Sequence, residues 1–345
     1  MFEAQHDAVP RLHTRALDLS ILIVTWNSER WIDRCLRSIP AACEGLAYEV
    51  VVHDNASADG TLAHVGAAAL GRTTTAEAAV ATPTVIRSRT NDGFAAGTNR
   101  AFAASKGRYV FLLNPDCDLA PRALTLLFEF LETHPHVAAA APLLTDEGGD
   151  SQREFQLRRF PTLGTLSAEV LLLDKLFPKN PTTARYRYRD IHLDRPQRIE
   201  QPAGAALLLR REVVEEVGPL DEQFAPAWFE DVDYCRRLAA RGRELWIVPA
   251  AQARHFGGSS LEHMPFARFV DIWYRNMWRY AHKWLRPAEA ETLRWVIIAG
   301  MLLRCFAGLV GFKPRGVGRW DAFRAYAAVL RKAFERWETS SPSSS

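Results

Sequence analysis

The sequence predicts an α/β fold: a mostly parallel β-sheet with helices on both faces, followed by a helical C-terminal extension. Short apolar runs alternate with segments of helical periodicity through the first part of the chain, and the connections between them are short. Several of these runs end abruptly in polar clusters, which is typical of buried strands that present polar groups at their carboxyl ends. We therefore expect a ligand site at that edge of the sheet.

Runs of apolar or β-branched residues, each bounded by polar or turn-forming residues, predict the strands. In chain order they are Leu19 to Thr25, Tyr48 to Val52, Thr84 to Arg87, the run that begins at Tyr109, the run that ends at Leu209, and Glu244 to Val248.

Capping and stop signals predict the helices. Asn27 or Ser28 can cap the first helix, and Pro40 ends it. Gly218 closes a short helix that begins at Arg211, because glycine favours the conformation found just after a helix end. Further helices are predicted at 61–70, after the glycine-containing turn at 91–93, from 121, and from the acidic segment at 230–233 to 242.

The run YVFLLNPDCD contains the candidate metal-binding carboxylates. Asp116 and Asp118 lie two residues apart, so on a continuing strand their carboxylates would face the same way. Paired hard oxygens favour Mg²⁺ or Mn²⁺, and such an ion completes its shell with water and substrate phosphates. Alternatively, one of the acids caps a helix that is entered at Pro121. The residues by themselves support both interpretations equally.

The composition excludes some classes of function. The chain has 345 residues and a net charge of +3, and it contains no arginine-rich arm or recognition motif, so we expect no nucleic-acid partner. Its five cysteines form no C-x-x-C pair, which favours a reduced compartment. Residues 1–17 form a polar leader without an apolar signal core, and residues 338–345 are predicted to be disordered.

Two later segments differ from the α/β part at 18–260. The segment 145–200 is rich in Arg, Pro and Tyr and is predicted as irregular cover over the sheet, on the acceptor side. Residues 261–337 form the helical extension, in which Phe266 to Trp284 mixes aromatic and basic residues and Trp295 to Phe312 is apolar except for Arg304. This pattern favours a peripheral membrane contact over a true span. The alternative is that these helices pack on the catalytic core.

Several motifs, taken together and in order, resemble the inverting family 2 glycosyltransferases with a GT-A fold, which is Rossmann-like, and in particular their rhamnosyltransferase-like branch. The matching pieces are ILIVTWNS, VVHDNASADGT, NDGFAAGTN, FLLNPDCD, PAGAALLLRR, GPLDEQFAPAWFEDVDYCRR and ARHFGGSS. They cover the chain from about residue 19 to residue 260, so the resemblance is more specific than any single motif.

The resemblance implies a role for each group of motif residues. It places Asp231 as the general base with Glu230 beside it, and His255, Asp116 and, as a possible helper, Asp118 as ligands of a divalent cation, Mg²⁺ or Mn²⁺. It places Gly204 and Trp228 on the acceptor side. The residues implied to line the pocket of the nucleotide-sugar donor are Thr25, Trp26, Asn27, Asp54, Asn91, Gly93, Asn114 and Asp116. Asn114 replaces the first acid of the family's D-x-D motif, which leaves a less negative metal site.

For two of these roles the residues also allow a purely structural interpretation. A lone histidine such as His255 is more often structural than a ligand, and only its motif favours a ligand role. Glu230 and Asp231 could simply complement the dipole at a helix N-terminus, although Asp233 could serve in that structural role instead.

The resemblance implies a transfer, with inversion, of a sugar from a nucleotide sugar to a hydroxyl of a saccharide acceptor. The branch suggests dTDP-rhamnose as donor, and the family's usual substrates suggest a polyprenyl-diphosphate-linked acceptor at the cytoplasmic face of a bacterial inner membrane, in the assembly of cell-surface polysaccharide or cell-wall glycan. The alternatives are a sugar nucleotidyltransferase and a catalytically inactive, nucleotide-binding membrane scaffold. The first requires a glycine-rich loop after the first strand, and the segment 26–30 contains no glycine.

Overall fold

The structure is a computed structural model that describes residues 17–70, 82–177, 180–257, 264–309, 311 and 314–337. Almost all of the predicted leader, the tail at 338–345 for which disorder is predicted, and the end of the ARHFGGSS motif at 258–260 lie outside the described residues.

Eleven strands are found in the described part of the chain. They are β1 (Leu19–Thr25), β2 (Tyr48–Asp54), β3 (Thr84–Arg87), β4 (Tyr109–Leu113), β5 (Cys117–Leu119), β6 (Val137–Thr145), β7 (Leu157–Arg158), β8 (Gln197–Ile199), β9 (Gln201–Pro202), β10 (Ala206–Arg210) and β11 (Glu244–His255).

Thirteen α-helices and one short 3₁₀ helix at Glu222–Phe224 accompany these strands in the described residues. The α-helices are α1 (Glu29–Ala42), α2 (Thr61–Leu70), α3 (Phe94–Ala103), α4 (Ala123–Thr133), α5 (Arg153–Gln156), α6 (Leu163–Val170), α7 (Leu173–Leu176), α8 (Pro181–Tyr186), α9 (Arg211–Val217), α10 (Glu230–Ala240), α11 (Phe266–Trp284), α12 (Pro287–Leu309) and α13 (Arg319–Phe334).

Nine of the strands form one sheet, in the order β3-β2-β1-β4-β10-β6-β11-β5, with β8 paired to β11. The pairings make β1, β2, β3, β4, β6 and β11 run in one direction and β5, β8 and β10 in the other. The prediction of a mostly parallel sheet is therefore confirmed. Strands β7 and β9 form a separate two-stranded antiparallel ribbon.

The sheet has a hydrophobic core on each face, because successive side chains of a buried strand point to opposite faces. In β1, Ile21 and Ile23 pack in the core that contains α1 and α4, whereas Leu22 packs in the core that contains α9 and α10. This arrangement confirms the predicted helices on both faces.

Strand β11 differs from its prediction. The apolar pattern predicts a strand that ends at Val248 and a loop that contains His255, but the strand continues to His255. It does so because a bulge between Val248 and Gln252 lets its second half pair with β5 as well as β6. His255 is consequently held by strand pairing opposite Cys117.

The helical extension shares a core with the α/β part. Helices α11, α12 and α13 pack around Leu166 of α6 and around Phe224 and Phe229, which precede α10. The aromatic residues of α11 that were expected at a membrane surface are largely inside this core, including Tyr274, Trp278 and Tyr280. One face of α12 stays exposed, and it includes Trp295 and Phe306.

One helix in the described residues, α12, is long and apolar enough to cross a membrane, and 44% of its most apolar stretch is buried inside the protein. Arg304, the charge within this helix, donates a 2.6 Å hydrogen bond to the backbone oxygen of Val170 in α6. The helix therefore packs on the rest of the protein along much of its length.

Candidate active site

The carboxyl ends of β1 and β2 form a polar pocket. Thr25 and Asp54 are register partners, and the Thr25 hydroxyl donates a 2.9 Å hydrogen bond to Asp54 Oδ1. Ser57 binds the same carboxylate twice, through its backbone N–H to Oδ2 at 3.0 Å and through its hydroxyl to Oδ1 at 2.5 Å. Because three donors fix a buried carboxylate, Asp54 presents a preorganised acceptor at the sheet edge.

Asn27 joins the loop after β1 to the loop after β2. Its backbone N–H donates to the Ser57 hydroxyl at 2.9 Å, and its Oδ1 accepts from the backbone N–H of Ala58 at 2.8 Å. Asn27 has φ of 49°, a left-handed conformation that asparagine tolerates better than most residues. Its neighbour Trp26 is half-buried at the same strand end.

Gly93 joins the predicted donor loop to the loop before the acidic pair. Its φ is 96°, and a Cβ atom there would lie 2.7 Å from the backbone oxygen of Pro226, so only glycine fits. The next residue, Phe94, donates its N–H to that Pro226 oxygen at 2.8 Å. Asn91 accepts the N–H of Gly93 at 3.0 Å and so closes the turn. The two loops are thereby held in direct contact.

The chain does not continue as a strand from Leu113 to Asp118. It turns at 114–116, where the N–H of Cys117 donates to Asn114 O at 3.1 Å, and it restarts as β5. Helix α4 begins at Ala123 with Arg122 as its N-cap, so neither acid caps it. The capping interpretation of Asp116 and Asp118 is therefore not observed.

Asp116 and His255 face each other in a buried position. His255 Nε2 lies 3.6 Å from Asp116 Oδ1, and both side chains are at most 5% exposed. Gln152 holds the histidine at two points: its Nε2 donates to His255 O at 2.7 Å and its Oε1 lies 2.9 Å from His255 Nδ1. Because Gln152 Oε1 can only accept, Nδ1 carries the proton and the Nε2 lone pair faces the carboxylate.

This pair fits a divalent cation. His255 Nε2 and Asp116 Oδ1 both carry lone pairs, so at 3.6 Å they repel each other unless a proton or a cation lies between them. Two ligand atoms that each lie about 2.1 Å from one ion are about 3 to 4 Å apart, which agrees with this distance. Burial lowers the pKa of His255, while the charge of Asp116 raises it. The neighbouring thiol of Cys117 completes a cluster of three potential ligand atoms within 4.8 Å. Burial raises the pKa of this thiol well above its ordinary value. Oxygen ligands suit Mg²⁺ and Mn²⁺ better than a soft sulfur does, so Asp116 and His255 are the better ligands.

Asp118 lies apart from this pair in the fold. Arg34 binds its Oδ2 through Nε at 3.0 Å and through a second nitrogen at 2.9 Å, and Arg254 approaches the same oxygen at 4.0 Å. The structure thus brings Asp116 and His255 together and pairs Asp118 with arginines.

The acidic pair opens α10. Asp231 Oδ2 accepts the N–H of Gly204 at 3.1 Å and lies 3.5 Å from Gln201 Nε2, and Oδ1 accepts the N–H of Val232 at 2.8 Å. Burial raises the pKa of Asp231 even though these donors lower it. A fixed, half-buried carboxylate with a raised pKa has the properties of a general base.

Glu230 is the more deeply buried of the two acids. Burial, and then the charge of Asp231, raise its pKa well above the ordinary value. Its Oε2 has no hydrogen-bond partner among the residues that the structure describes. Two adjacent carboxyl groups with raised pKa values mark a functional site more often than a structural one.

Comparison with known proteins decides the family. The family model described as glycosyl transferase family 2 matches residues 20–218, which is more than half of the chain. The chain belongs to glycosyl transferase family 2.

The curated relatives of this family 2 glycosyltransferase include rhamnosyltransferases. An N-acetylglucosaminyl-diphospho-decaprenol L-rhamnosyltransferase of Mycobacterium tuberculosis is 27% identical over 311 residues, which cover 83% of this chain and 91% of the relative. The rhamnosyltransferase WbbL of Escherichia coli is 27% identical over 173 residues, which cover 48% of this chain and 61% of the relative. These similarities confirm a family 2 glycosyltransferase that has rhamnosyltransferases among its relatives.

Solved structures confirm the GT-A fold. A mannosyltransferase of Pyrobaculum calidifontis in complex with GDP-Man and Mn²⁺ aligns with a TM-score of 0.54 at 17% identity, over 94% of this chain and 84% of that chain. Residues 1–349 of TarS from S. aureus, in complex with UDP-GlcNAc, align with a TM-score of 0.52 at 16% identity, over 92% of this chain and 81% of that chain.

In this glycosyltransferase, α11 holds the loop before the acidic pair. Asn276 is fully buried, and its Nδ2 donates to three backbone oxygens of that loop. The acceptors are Phe224 O at 2.7 Å, Ala227 O at 2.9 Å and Trp228 O at 3.1 Å. Trp228 has φ of 71° and contacts Phe269 of α11 edge-on at 5.1 Å. The extension therefore positions the acids of the candidate active site.

Asp233 is the structural acid of α10. It is fully buried and accepts from Trp284 Nε1 at 2.7 Å, from Lys283 Nζ at 2.9 Å and from Arg237 Nε at 3.0 Å. These contacts tie α10 to α11, so Asp231 is left for other chemistry.

Three residues of this glycosyltransferase were missed by sequence reasoning. Ser57 fixes Asp54, Gln152 fixes His255, and Asn276 fixes the loop at 224–228. Of these, only Ser57 could have been found from the sequence, because it lies within the motif VVHDNASADGT. The other two are far in sequence from the groups they hold, at separations of 103 and 52 residues.

Proposed function

We propose that this family 2 glycosyltransferase transfers a sugar, with inversion, from a nucleotide sugar to a hydroxyl of a lipid-linked saccharide, with dTDP-rhamnose as the donor. The observation that carries the proposal is Asp231, a half-buried carboxylate with a raised pKa that the N–H groups of Gly204 and Val232 hold in place. The fixed carboxylate of Asp54 and the buried Asp116–His255 pair support it. The rhamnosyltransferases among its relatives support the donor, and the name of the mycobacterial relative supports a polyprenyl-diphosphate acceptor.

The reaction is one displacement at the anomeric carbon. Asp231 takes the proton of the acceptor hydroxyl while the hydroxyl oxygen forms a bond to the anomeric carbon. The bond from that carbon to the donor phosphate breaks on the opposite side, and its electron pair leaves with the nucleoside diphosphate. Gly204 and Val232 hold the carboxylate through their N–H groups, which keeps it aimed at the acceptor.

Asp116 and His255 would hold the cation, with Gln152 fixing the histidine tautomer. A divalent cation, Mg²⁺ or Mn²⁺, stabilises the negative charge of the departing diphosphate. The pocket of Thr25, Asp54 and Ser57 would bind the nucleoside of the donor, because its preorganised carboxylate can accept hydrogen bonds from a base.

Thermal stabilisation tests the donor and the cation together. We expect dTDP-rhamnose or dTDP with Mn²⁺ or Mg²⁺ to raise the melting temperature by about 5 °C at saturation, because a ligand that binds only the folded state stabilises it. Asp54→Asn should weaken the shift with and without metal, whereas Asp116→Asn should abolish only the metal-dependent part.

The exposed Glu222→Gln variant serves as the control and should keep the full shift. UDP- and GDP-sugars belong in the same panel. A shift confined to one of those nucleotides would contradict the proposed donor, and no shift with any nucleotide would contradict the donor pocket.

We also propose that the protein is cytoplasmic and associates peripherally with the cytoplasmic face of a bacterial inner membrane. Residues 264–337 contain 14 Lys and Arg against five Asp and Glu, whereas the net charge of the whole chain is only +3. Large apolar side chains of α12 are more than half exposed: Trp295, Leu302, Leu303, Phe306 and Leu309. A basic segment with an exposed apolar helix face is typical of contact with anionic lipid.

Vesicle sedimentation tests this membrane contact. We expect the protein to sediment with vesicles that contain anionic lipid, less so at high salt, and hardly with neutral vesicles. Phe306→Glu should reduce sedimentation by about tenfold, because a charged side chain replaces an apolar one that contacts lipid in the bound state. Val85→Glu changes an exposed apolar residue of β3 and should have no effect. Equal sedimentation of Phe306→Glu and wild type would contradict the proposed surface.

A further inference from the structure

The ribbon of β7 and β9 lies beside the candidate base. Arg158 of β7 is the register partner of Gln201 of β9, and partners in an antiparallel pair place their side chains on the same face. Gln201 Nε2 lies 3.5 Å from Asp231 Oδ2. The side chain of Arg158 is therefore on the face of the ribbon that is turned toward Asp231, and its charge acts on that carboxylate.

Arg158 differs from three arginines of the same segment. Arg159, Arg187 and Arg189 each form an ion pair, with Asp190, Glu154 and Glu154 respectively. Arg158 instead donates only to backbone oxygens, those of Glu154, Phe155 and Leu157. Within the described residues it has no carboxylate partner, so its charge is available for an anion.

We propose that Arg158 binds the diphosphate of the acceptor. This inference rests on the proposed function. In a sugar linked to a diphosphate, one pyranose ring separates the reacting hydroxyl from the anomeric phosphate, so a hydroxyl at Asp231 places an anion close by. The acceptor lies opposite the leaving nucleotide in an inverting transfer, and Arg158 is on the Gln201 side of Asp231. A planar guanidinium suits a phosphate.

The test compares two acceptors that differ only in charge: a short polyprenyl-diphosphate saccharide and the corresponding neutral alkyl glycoside. Arg158→Gln should lower kcat/KM for the diphosphate acceptor by about 10- to 100-fold, the usual loss for a hydrogen bond to a charged group. It should change kcat/KM for the neutral acceptor by less than about threefold. Arg158→Lys should restore part of the preference for the diphosphate acceptor, because lysine keeps the positive charge but lacks the planar, two-nitrogen geometry of the guanidinium.

Arg159→Gln is the matched control, since Arg159 is the next residue of the chain and is bound by Asp190 through two nitrogens. It should leave the ratio of the two kcat/KM values unchanged. An equal loss on both acceptors in Arg158→Gln would overturn the proposal in favour of a structural role. Weaker binding of free dTDP by Arg158→Gln would overturn it in favour of a donor contact. If the wild type transferred to neither acceptor, the proposed function itself would fail.

Discussion

Asp231→Asn is expected to lower the rate of transfer by at least about 100-fold, because the amide cannot take the proton of the acceptor hydroxyl. The variant should fold, since the amide has the size of the carboxylate and its oxygen can still accept one of the two N–H groups, those of Gly204 and Val232, that Asp231 accepts. Donor binding should be unchanged, because Asp54 and the Asp116–His255 pair are untouched. Initial rates and the nucleotide-induced thermal shift, measured on the same preparation, check both expectations.

The pH dependence of transfer follows from the same residue. Burial raises the pKa of Asp231, and the base acts only when it is deprotonated. As the pH falls, activity should therefore be lost at a higher pH than an ordinary aspartate would give. Glu222→Gln, an exposed change elsewhere in the same segment, should leave both the rate and the profile as in wild type. Full activity of Asp231→Asn would contradict the assignment of the base.

Asn276→Leu is expected to reduce both stability and activity. It leaves the backbone oxygens of Phe224, Ala227 and Trp228 without their shared donor, and each buried unpaired group costs about 1 to 3 kcal/mol. We expect a loss of about 3 kcal/mol or more in the free energy of unfolding, or roughly 5 to 10 °C in melting temperature. Transfer should fall even below the new melting temperature, because the loop no longer positions the acidic pair.

Thermal melts and rates measured well below the melting temperature check this prediction. Arg268→Leu, on the exposed side of the same helix, is the control and should change stability by less than about 0.5 kcal/mol. An Asn276→Leu variant with wild-type kcat at low temperature would show that α11 stabilises the fold without positioning the site.

Much of the fold could be predicted from local patterns. The bounds of β1, α2, β3 and α9 agree with the predicted runs, because each is a short apolar or periodic segment between clear breakers. Strands β5 and β6 were not predicted. Val137–Thr145 is rich in alanine, which has low strand propensity, and Cys117–Leu119 is too short to show a period.

The residues of the candidate site were predicted from the motifs. The residues that hold them in position were not predicted. Sequence order brings Thr25, Asp54 and Asp116 to the same edge, because parallel strands end there. The pairing of Asp118 with Arg34 was not foreseeable, since these residues are 84 positions apart and the turn at 114–116 separates the two acids.

The sequence by itself determined the α/β class, the positions of the main strands along the chain and the polar groups at their ends, because these depend on local periodicity and capping. Only the tertiary structure decided that α11 holds the loop before Asp231 and that Gln152 sets the tautomer of His255. It also decided that Arg158 has no ion pair among the described residues. Each of these contacts joins residues that are far apart in the chain or depends on competition among neighbouring charges. Such contacts are fixed by packing, which no local pattern encodes.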